Sequence, residues 1–94
     1  MDSRFEGTIK IYKYPLRMVN TQTLTLKGDP LSVVNQKEWI TVYAPYQEYE
    51  SNKCYEFCIV GTGHEFEHYE DYSFLGTVTM DNGNYVFHIF WRKL

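Results

Sequence analysis

The chain has 94 residues, which is the size of one domain, and we expect a single domain over residues 1–94 with a thin hydrophobic core. Its nine Tyr, six Phe and two Trp supply more rings than such a core needs, so several should lie at the surface. A net charge of −3 with scattered bases gives no strong signal for nucleic-acid binding, and the absence of a long apolar run argues against secretion and membrane insertion.

Short runs of β-branched and aromatic residues, separated by Gly, Pro, Asn and Asp, predict strands and turns along the chain. Residues 7–14 form the first predicted strand, and Pro15 ends it or makes it an edge strand because proline cannot donate to a sheet ladder. Residues 23–27 form the second and set two leucines on one face. Residues 31–34 and 39–44 flank a four-residue polar link and predict a hairpin.

The second half of the chain continues in the same way. Residues 45–53 read as a loop, residues 54–60 as an apolar strand, and the acidic and aromatic segment that ends at residue 72 as another loop. Residues 74–80 and 85–91 predict a last hairpin, whose turn contains an Asn-Gly pair that accepts positive φ angles. Six to eight short strands with minor helix at most predict an all-β fold, either a small antiparallel β-barrel or a β-sandwich.

The acidic residues are concentrated in one part of the chain. Residues 48–71 carry seven acids and one base, for a charge of −6, whereas the remainder carries eight bases and five acids, for +3. Such asymmetry is typical of an interaction surface, although an ordinary solvated loop has the same composition. The seven acids are Glu48, Glu50, Glu56, Glu65, Glu67, Glu70 and Asp71.

The segment HEFEH at residues 64–68 matches H-E-x-x-H, in which a helix places two His on one face around zinc. The glycines before it and the residues after it do not favour a helix.

Cys54 and Cys58, about 13 Å apart on one strand face, are too distant for a disulfide in that conformation. We therefore expect no catalytic residue, metal or cofactor, and free thiols as in a reducing cytoplasm.

The segment GTGH at residues 61–64 follows an apolar strand. Its glycines could let the backbone approach a ligand and leave amides free for an anion, or they could form an ordinary turn. His88 lies in a predicted strand, where a hydrogen-bonded structural role and a ligand contact are both open.

Four segments follow one another along the chain and cover most of it. They are IYKYPL at residues 11–16, LSV leading into the Trp39 strand, residues 55–64 ending in GTGH, and FLGT followed by VFHIF at residues 86–90. Their order over nearly the whole chain resembles a family of small uncharacterised proteins encoded by tailed phages and their prophages. The second His of HEFEH and the acidic, aromatic residues 65–72 depart from that family's pattern. The resemblance implies a phage-encoded accessory protein in the cytoplasm of a bacterial host, and it implies no known reaction.

The leading hypothesis is a non-enzymatic antagonist of bacterial antiviral defence that binds its target stoichiometrically. It would either sequester a small nucleotide signal, as a homo-oligomer, or block a host defence protein with acidic residues 48–71. The alternatives are a phage structural, assembly or replication accessory and, most remotely, a metal-dependent hydrolase that uses HEFEH. The predicted ligand or partner contacts are Tyr12, Tyr14, Gly61, Thr62, Gly63, His64, Glu65 and His88.

Overall fold

Seven strands account for most of residues 8–94, which are the residues that the structure, a computed structural model, describes. They are β1 (Lys10–Pro15), β2 (Thr21–Leu26), β3 (Ser32–Gln36), β4 (Trp39–Tyr46), β5 (Lys53–Gly61), β6 (Ser73–Met80) and β7 (Tyr85–Lys93). One sheet has the order β1-β4-β3 and the other the order β2-β5-β7-β6, with every neighbouring pair antiparallel. The sheets pack as a sandwich and do not close into a barrel, so the predicted all-β class is confirmed.

The core lies between the two sheets and consists of alternate residues of the central strands. Ile40, Val42 and Ala44 of β4 point into it and are almost completely buried. Phe57 of β5 and Ile89 of β7 reach the same cluster from the other sheet, and both are 0% exposed. Each such side chain contributes about 1.5–3 kcal/mol by leaving water. Ile40, Val42 and Ala44 therefore form the inward face of β4.

Strand β1 presents its tyrosines to the core side and its isoleucine to solvent. The register sets Tyr12 opposite Ala44 and Tyr14 opposite Val42, and directly opposed residues share one face of an antiparallel pair. Tyr14 packs half-buried against the core, whereas Ile11 is 56% exposed. The outward face of the three-stranded sheet therefore carries apolar surface.

Several observed strand ends differ from the predicted ones. β1 begins only at Lys10, β3 extends two residues past 34 to Gln36, and β7 extends two residues past 91 to Lys93. β2 begins at Thr21, two residues before the prediction, and β4 continues through Pro45 to Tyr46, so the following loop is shorter than residues 45–53. Pro15 ends β1, which is an edge strand, as its missing N–H requires. Gly7, where the first predicted strand begins, lies outside the described residues.

The β3–β4 hairpin closes with two residues, which corrects the four-residue link expected from the sequence. Lys37 and Glu38 have φ angles of 52° and 66°, in the left-handed region that Asn and Gly adopt most easily. That conformation costs about 1–2 kcal/mol for each residue with a Cβ. The Asn35 side chain offsets part of this cost, since its Oδ1 accepts the backbone N–H of Glu38 at 2.8 Å.

The β6–β7 hairpin has the turn geometry that its sequence predicts. Asn82 and Gly83 have φ angles of 54° and 87°, and Asp81 is also left-handed at 51°. The backbone N–H of Gly83 donates to the carbonyl of Met80 at 3.1 Å. The prediction that the Asn-Gly pair accepts positive φ is confirmed.

Edge strands β3 and β6 close one side of the sandwich. The Asn35 side-chain amide donates to the carbonyl of Thr79 at 2.9 Å. A Cβ at Gly76 would lie 2.9 Å from the Val33 Cγ1, so only glycine lets the two strands approach this closely.

Helix is a minor component, as expected. Among residues 8–94 it is limited to one 3-10 turn, Tyr69–Asp71. None of the described residues form a helix long and apolar enough to cross a membrane.

Candidate binding surface

A long connection returns the chain across the four-stranded sheet. β5 and β6 lie on either side of β7, and both are antiparallel to it, so the end of β5 and the start of β6 are at opposite ends of the sheet. Residues 62–72, named the crossover loop here, make this return on the outer face of the sheet, away from the core. The 3-10 turn Tyr69–Asp71 lies near the end of the loop.

Aromatic rings fix the crossover loop to the sheet. Phe66 lies over Phe90 of β7 with ring centroids 4.8 Å apart, and Tyr69 approaches the same ring at 5.7 Å. Phe66 also contacts the ring of Tyr72 at 5.1 Å. Phe90 is only 9% exposed although it points away from the core, because the loop covers it. Each ring pair contributes about 0.5–1.5 kcal/mol beyond its burial, so these four residues form a second, smaller apolar cluster.

A polar group holds the C-terminal end of the crossover loop. Glu56 of β5 and Arg92 of β7 are directly opposed, and the Arg92 Nε donates to Glu56 Oε1 at 2.9 Å. The Tyr72 hydroxyl donates to the same carboxylate, and the Arg92 guanidinium lies 4.9 Å from the centre of the Tyr72 ring. The hydrogen bond to Glu56, together with burial, raises the pKa of Tyr72 above its ordinary value.

The remaining acids of the crossover loop face solvent. Glu65, Glu67, Glu70 and Asp71 are all exposed. Among residues 8–94, the ion pairs are Arg92 with Glu56 and Lys93 with Asp29, so none of these four carboxylates has a cationic partner there. The loop therefore carries four exposed carboxylates on a base of packed rings, and of these Asp71 is close enough to Arg92 to help Glu56 raise the pKa of that guanidinium.

Most of the predicted contact residues lie together at the start of this loop. The Thr62 hydroxyl is 2.8 Å from His88 Nε2, and the Thr77 hydroxyl is 3.0 Å from His88 Nδ1. A Cβ at Gly61 would be 2.8 Å from the His64 ring, so the ring lies against the Gly61 backbone. His88 is thus a half-buried, hydrogen-bonded residue on the outer face.

Two backbone amides of the turn at residues 61–64 donate hydrogen bonds to backbone carbonyls. The backbone N–H of Thr62 donates to the carbonyl of Val86 at 3.2 Å, and that of His64 donates to the carbonyl of Gly61 at 3.0 Å. Gly63 has φ 87°, which an L-residue adopts only with strain. The adjacent cavity is about 220 Å³. This geometry favours a structural turn over an anion cradle, and the ligand role of these residues stays a prediction.

The HEFEH segment does not have the geometry that a zinc helix needs. His64 is in the turn after β5, and His68 has φ 58°, in the left-handed region. The intervening residues are not helical, so the two imidazoles do not share a helix face. No group of three or more metal-ligating side chains is present within residues 8–94.

Tyr12 and Tyr14 lie in the other sheet from the rest of the predicted set. Tyr12 stacks on Tyr46 of β4 with ring centroids 4.7 Å apart. Burial, followed by the neighbouring Tyr12 and Tyr46, raises the pKa of Tyr14. The structure therefore brings Gly61, Thr62, Gly63, His64, Glu65 and His88 together and leaves the two tyrosines in a separate tyrosine cluster.

The residues that hold the crossover loop are not among the predicted contact residues; they are Phe66, Tyr72, Phe90 and Arg92. The surplus of rings was a signal that some of them serve outside the main core. The pairing of Arg92 with Glu56 depends on the β5–β7 register, which the alternating pattern alone does not determine.

Comparison with known proteins identifies the family. Neither curated proteins nor solved structures gave a match. A family profile described as "Domain of unknown function (DUF7352)" matches residues 8–94, which include every strand of the sandwich. The chain therefore belongs to the DUF7352 family.

Proposed function

We propose that this protein is a non-enzymatic, phage-encoded binding protein that antagonises bacterial antiviral defence by stoichiometric binding of a defence protein. The observation that carries the proposal is the crossover loop, on which four carboxylates face solvent while rings and hydrogen bonds hold the backbone. The phage origin is supported by the ordered resemblance of the IYKYPL, GTGH, FLGT and VFHIF segments to phage proteins.

A preordered loop suits stoichiometric binding. A flexible loop loses conformational entropy when it binds, at a cost of about 0.5–1.5 kcal/mol for each immobilised side chain. The Phe66 and Tyr72 contacts have already fixed this loop in the free protein. The loop therefore loses little further conformational entropy when a partner binds.

The charge of the surface specifies the chemistry of the partner. Four carboxylates without a cationic partner in residues 8–94 attract a basic surface, speed the encounter and disfavour acidic partners. Tyr69, 61% exposed at the same loop, adds the kind of ring that protein interfaces favour. A defence protein with an exposed lysine- or arginine-rich patch fits this surface.

The proposed surface is narrower than the acidic stretch of the sequence. Glu48 and Glu50 lie in the loop between β4 and β5, where the Lys27 ammonium donates to the Glu48 carbonyl at 3.0 Å. Glu56 is already paired with Arg92. Only the four acids of the crossover loop remain for the proposed contact.

The proposed location is the cytoplasm of the bacterial host, where defence proteins act during infection. Cys54 and Cys58 are both free, which supports a reducing compartment.

Affinity capture from phage-infected cells tests the proposal. The bait is the whole protein, and the test variant combines Glu67→Gln with Glu70→Gln. The matched control combines Glu48→Gln with Glu50→Gln, which removes the same charge from a loop outside the proposed surface. We expect wild type and control to retain one host defence protein, and the test variant to bind it roughly tenfold more weakly, with all binding falling as salt is raised.

Two results would count against the proposal. Equal capture by the test variant and the control would remove the crossover loop as the contact surface. Retention of a virion or replication component in place of a defence protein would favour the assembly role over antagonism.

A further inference from the structure

A cleft lies on the outer face of the three-stranded sheet, which is the opposite side of the sandwich from the crossover loop. It has a volume of about 250 Å³. The register explains its position, because Lys13 opposes Tyr43 and Pro15 opposes Thr41, all on the face away from the core. Its lining consists of Lys13, Pro15, Gln36, Lys37, Trp39 and Thr41.

The apolar part of the cleft is a platform for a flat ring. Trp39 is 57% exposed at the first position of β4, so a large face of the indole is open to solvent. Thr41, 3% exposed, also lines the cleft, and its hydroxyl donates to the Trp39 carbonyl at 3.1 Å. Pro15 forms a rigid rim. Nucleobases stack on exposed aromatic side chains, such as indoles, that lie beside positively charged side chains.

The charged part of the cleft is positive. Among residues 8–94, Lys13 and Lys37 line it and no carboxylate does. Glu38, the chain neighbour of Lys37, is turned away, because its carboxylate accepts hydrogen bonds from the Asn35 amide at 3.1 Å and from the Asp81 N–H at 3.0 Å. Two ammonium groups that form no ion pair with any residue the structure describes complement a phosphate.

One of these two cations, Lys37, lies in the turn of the β3–β4 hairpin. Lys37 is left-handed at φ 52°, a conformation in which Asn or Gly would be less strained. Strained positions of this kind cluster at ligand clamps. The strained Lys37 is one of the residues that line the cleft.

One amide is available to contact the edge of a base. The Tyr43 hydroxyl donates to Gln36 Oε1 at 2.9 Å, which orients the Gln36 side chain. Its Nε2 group is left with two N–H donors, which match the ring nitrogens and carbonyl oxygens of nucleobases.

We propose that this cleft binds a free nucleotide, with the base stacked on Trp39, its edge facing Gln36, and the phosphate between Lys13 and Lys37. The site goes beyond the proposed capture of a defence protein and shares no residue with the acidic surface. It differs from the predicted nucleotide contacts at residues 61–65, where the Thr62 and His64 amides already donate to the carbonyls of Val86 and Gly61. The cleft volume of about 250 Å³ lies below the range of about 300–1,000 Å³ for small-molecule pockets, so part of a bound nucleotide would remain in solvent.

Calorimetric titration of the whole protein tests this site. The panel contains AMP, ATP, ADP-ribose and cyclic di-AMP, together with two fragments, adenosine and ribose 5-phosphate. We expect at least one nucleotide to bind, and each fragment to bind at least about tenfold more weakly, because the first lacks the phosphate and the second lacks the stacking base.

Two test variants and one matched control locate the nucleotide-binding site. Trp39→Ala removes the platform, and Lys13→Gln with Lys37→Asn removes the charges while keeping a residue that tolerates the left-handed turn. Each should raise the Kd at least about tenfold with an unchanged melting transition. The control, Lys27→Gln with Lys53→Gln, removes two charges beside β2 and β5 outside the cleft and should leave the Kd within about twofold.

The contradicting results are equally direct. No heat with any panel member at millimolar concentration, or a Kd that neither Trp39→Ala nor the lysine variant changes, would overturn the site. Much tighter binding of a single-stranded octanucleotide than of AMP would also overturn it, because the occupant would then be a nucleic-acid strand. None of these results affects the capture experiment, since its variants lie on the opposite face.

Discussion

At the scale of single residues, three side chains secure the parts of the chain that lie outside regular pairing. The Gln22 side chain is buried and bridges both backbone groups of Arg17, accepting from its N–H at 3.0 Å and donating to its carbonyl at 2.7 Å. The Tyr55 hydroxyl donates to Asp29 at 2.7 Å and ties the β2–β3 loop to β5. Tyr72 does the same for the crossover loop. Each satisfies polar groups that burial would otherwise leave unpaired.

The Tyr72 hydroxyl predicts a pH dependence of stability. Its hydrogen bond to Glu56 and its burial raise its pKa in the folded state above 10. A raised folded pKa means that the stabilisation is fully present below about pH 10 and is lost as the pH rises further, because the unfolded chain releases its proton first. We expect Tyr72→Phe to lose about 1 kcal/mol at neutral pH.

Urea denaturation between about pH 8 and 11 measures this dependence. The free energy of unfolding should fall more steeply for the wild type than for Tyr72→Phe above about pH 10, so that the two curves converge. Burial, followed by the hydrogen bond to Asp29, raises the pKa of Tyr55. The resulting pH dependence has the same sign in both proteins and therefore cancels in the comparison. Parallel curves throughout would show that Tyr72 does not make the proposed bond in solution.

At the scale of elements, the turn after β5 separates backbone strain from packing. Gly63 has φ 87°, and a Cβ added there meets no atom within 4 Å, so any cost of substitution arises from the backbone conformation. We expect Gly63→Val to reduce the free energy of unfolding by about 1–3 kcal/mol. Gly63→Asn should cost less, because Asn tolerates the left-handed region.

Gly61→Ala is the control for Gly63, measured in the same thermal or urea unfolding experiments. Its Cβ would meet only the ring of His64, which is exposed and can swing aside, so we expect a change within about 0.5 kcal/mol. A Gly63→Val protein as stable as the wild type would contradict the assigned backbone conformation.

The same elements explain which parts of the fold could be predicted. Strands β4, β5 and β7 are runs rich in β-branched and aromatic residues, and the Asn82-Gly83 turn has an unambiguous chemistry, so the sequence located them within one or two residues. The Lys37-Glu38 turn has no such chemistry; Asn35 and contacts with the other hairpin stabilise it, and these become visible only in three dimensions.

The candidate sites were predicted less completely for a related reason. Gly61 to Glu65 are neighbours in sequence, and His88 joins them through the β5–β7 pairing, so part of the predicted set lies together. The path of the crossover loop depends on the strand order β5-β7-β6, in which β7 comes last in the chain but lies between the others. The ring contact of Phe66 with Phe90 and the cleft beside Trp39 both depend on such long-range pairing.

At the scale of the whole molecule, the two outer faces of the sandwich differ in charge. The crossover loop covers the four-stranded sheet with acids, whereas the cleft of the three-stranded sheet is lined by Lys13 and Lys37. The covalent order produces this separation, because strands β1, β3 and β4 come from the first half of the chain and the acidic segment from the second. Two faces of opposite charge can hold different partners at the same time.

The most direct test of the central proposal is an inhibition titration of the captured defence protein. Its activity is measured as this protein is added in increasing molar ratio, with both proteins well above their Kd. Stoichiometric binding predicts that activity falls linearly and reaches its minimum near one equivalent of binding sites, and that the Glu67→Gln, Glu70→Gln variant needs a large excess. Complete inactivation by a small fraction of an equivalent, increasing with incubation time, would show turnover and contradict a non-enzymatic role.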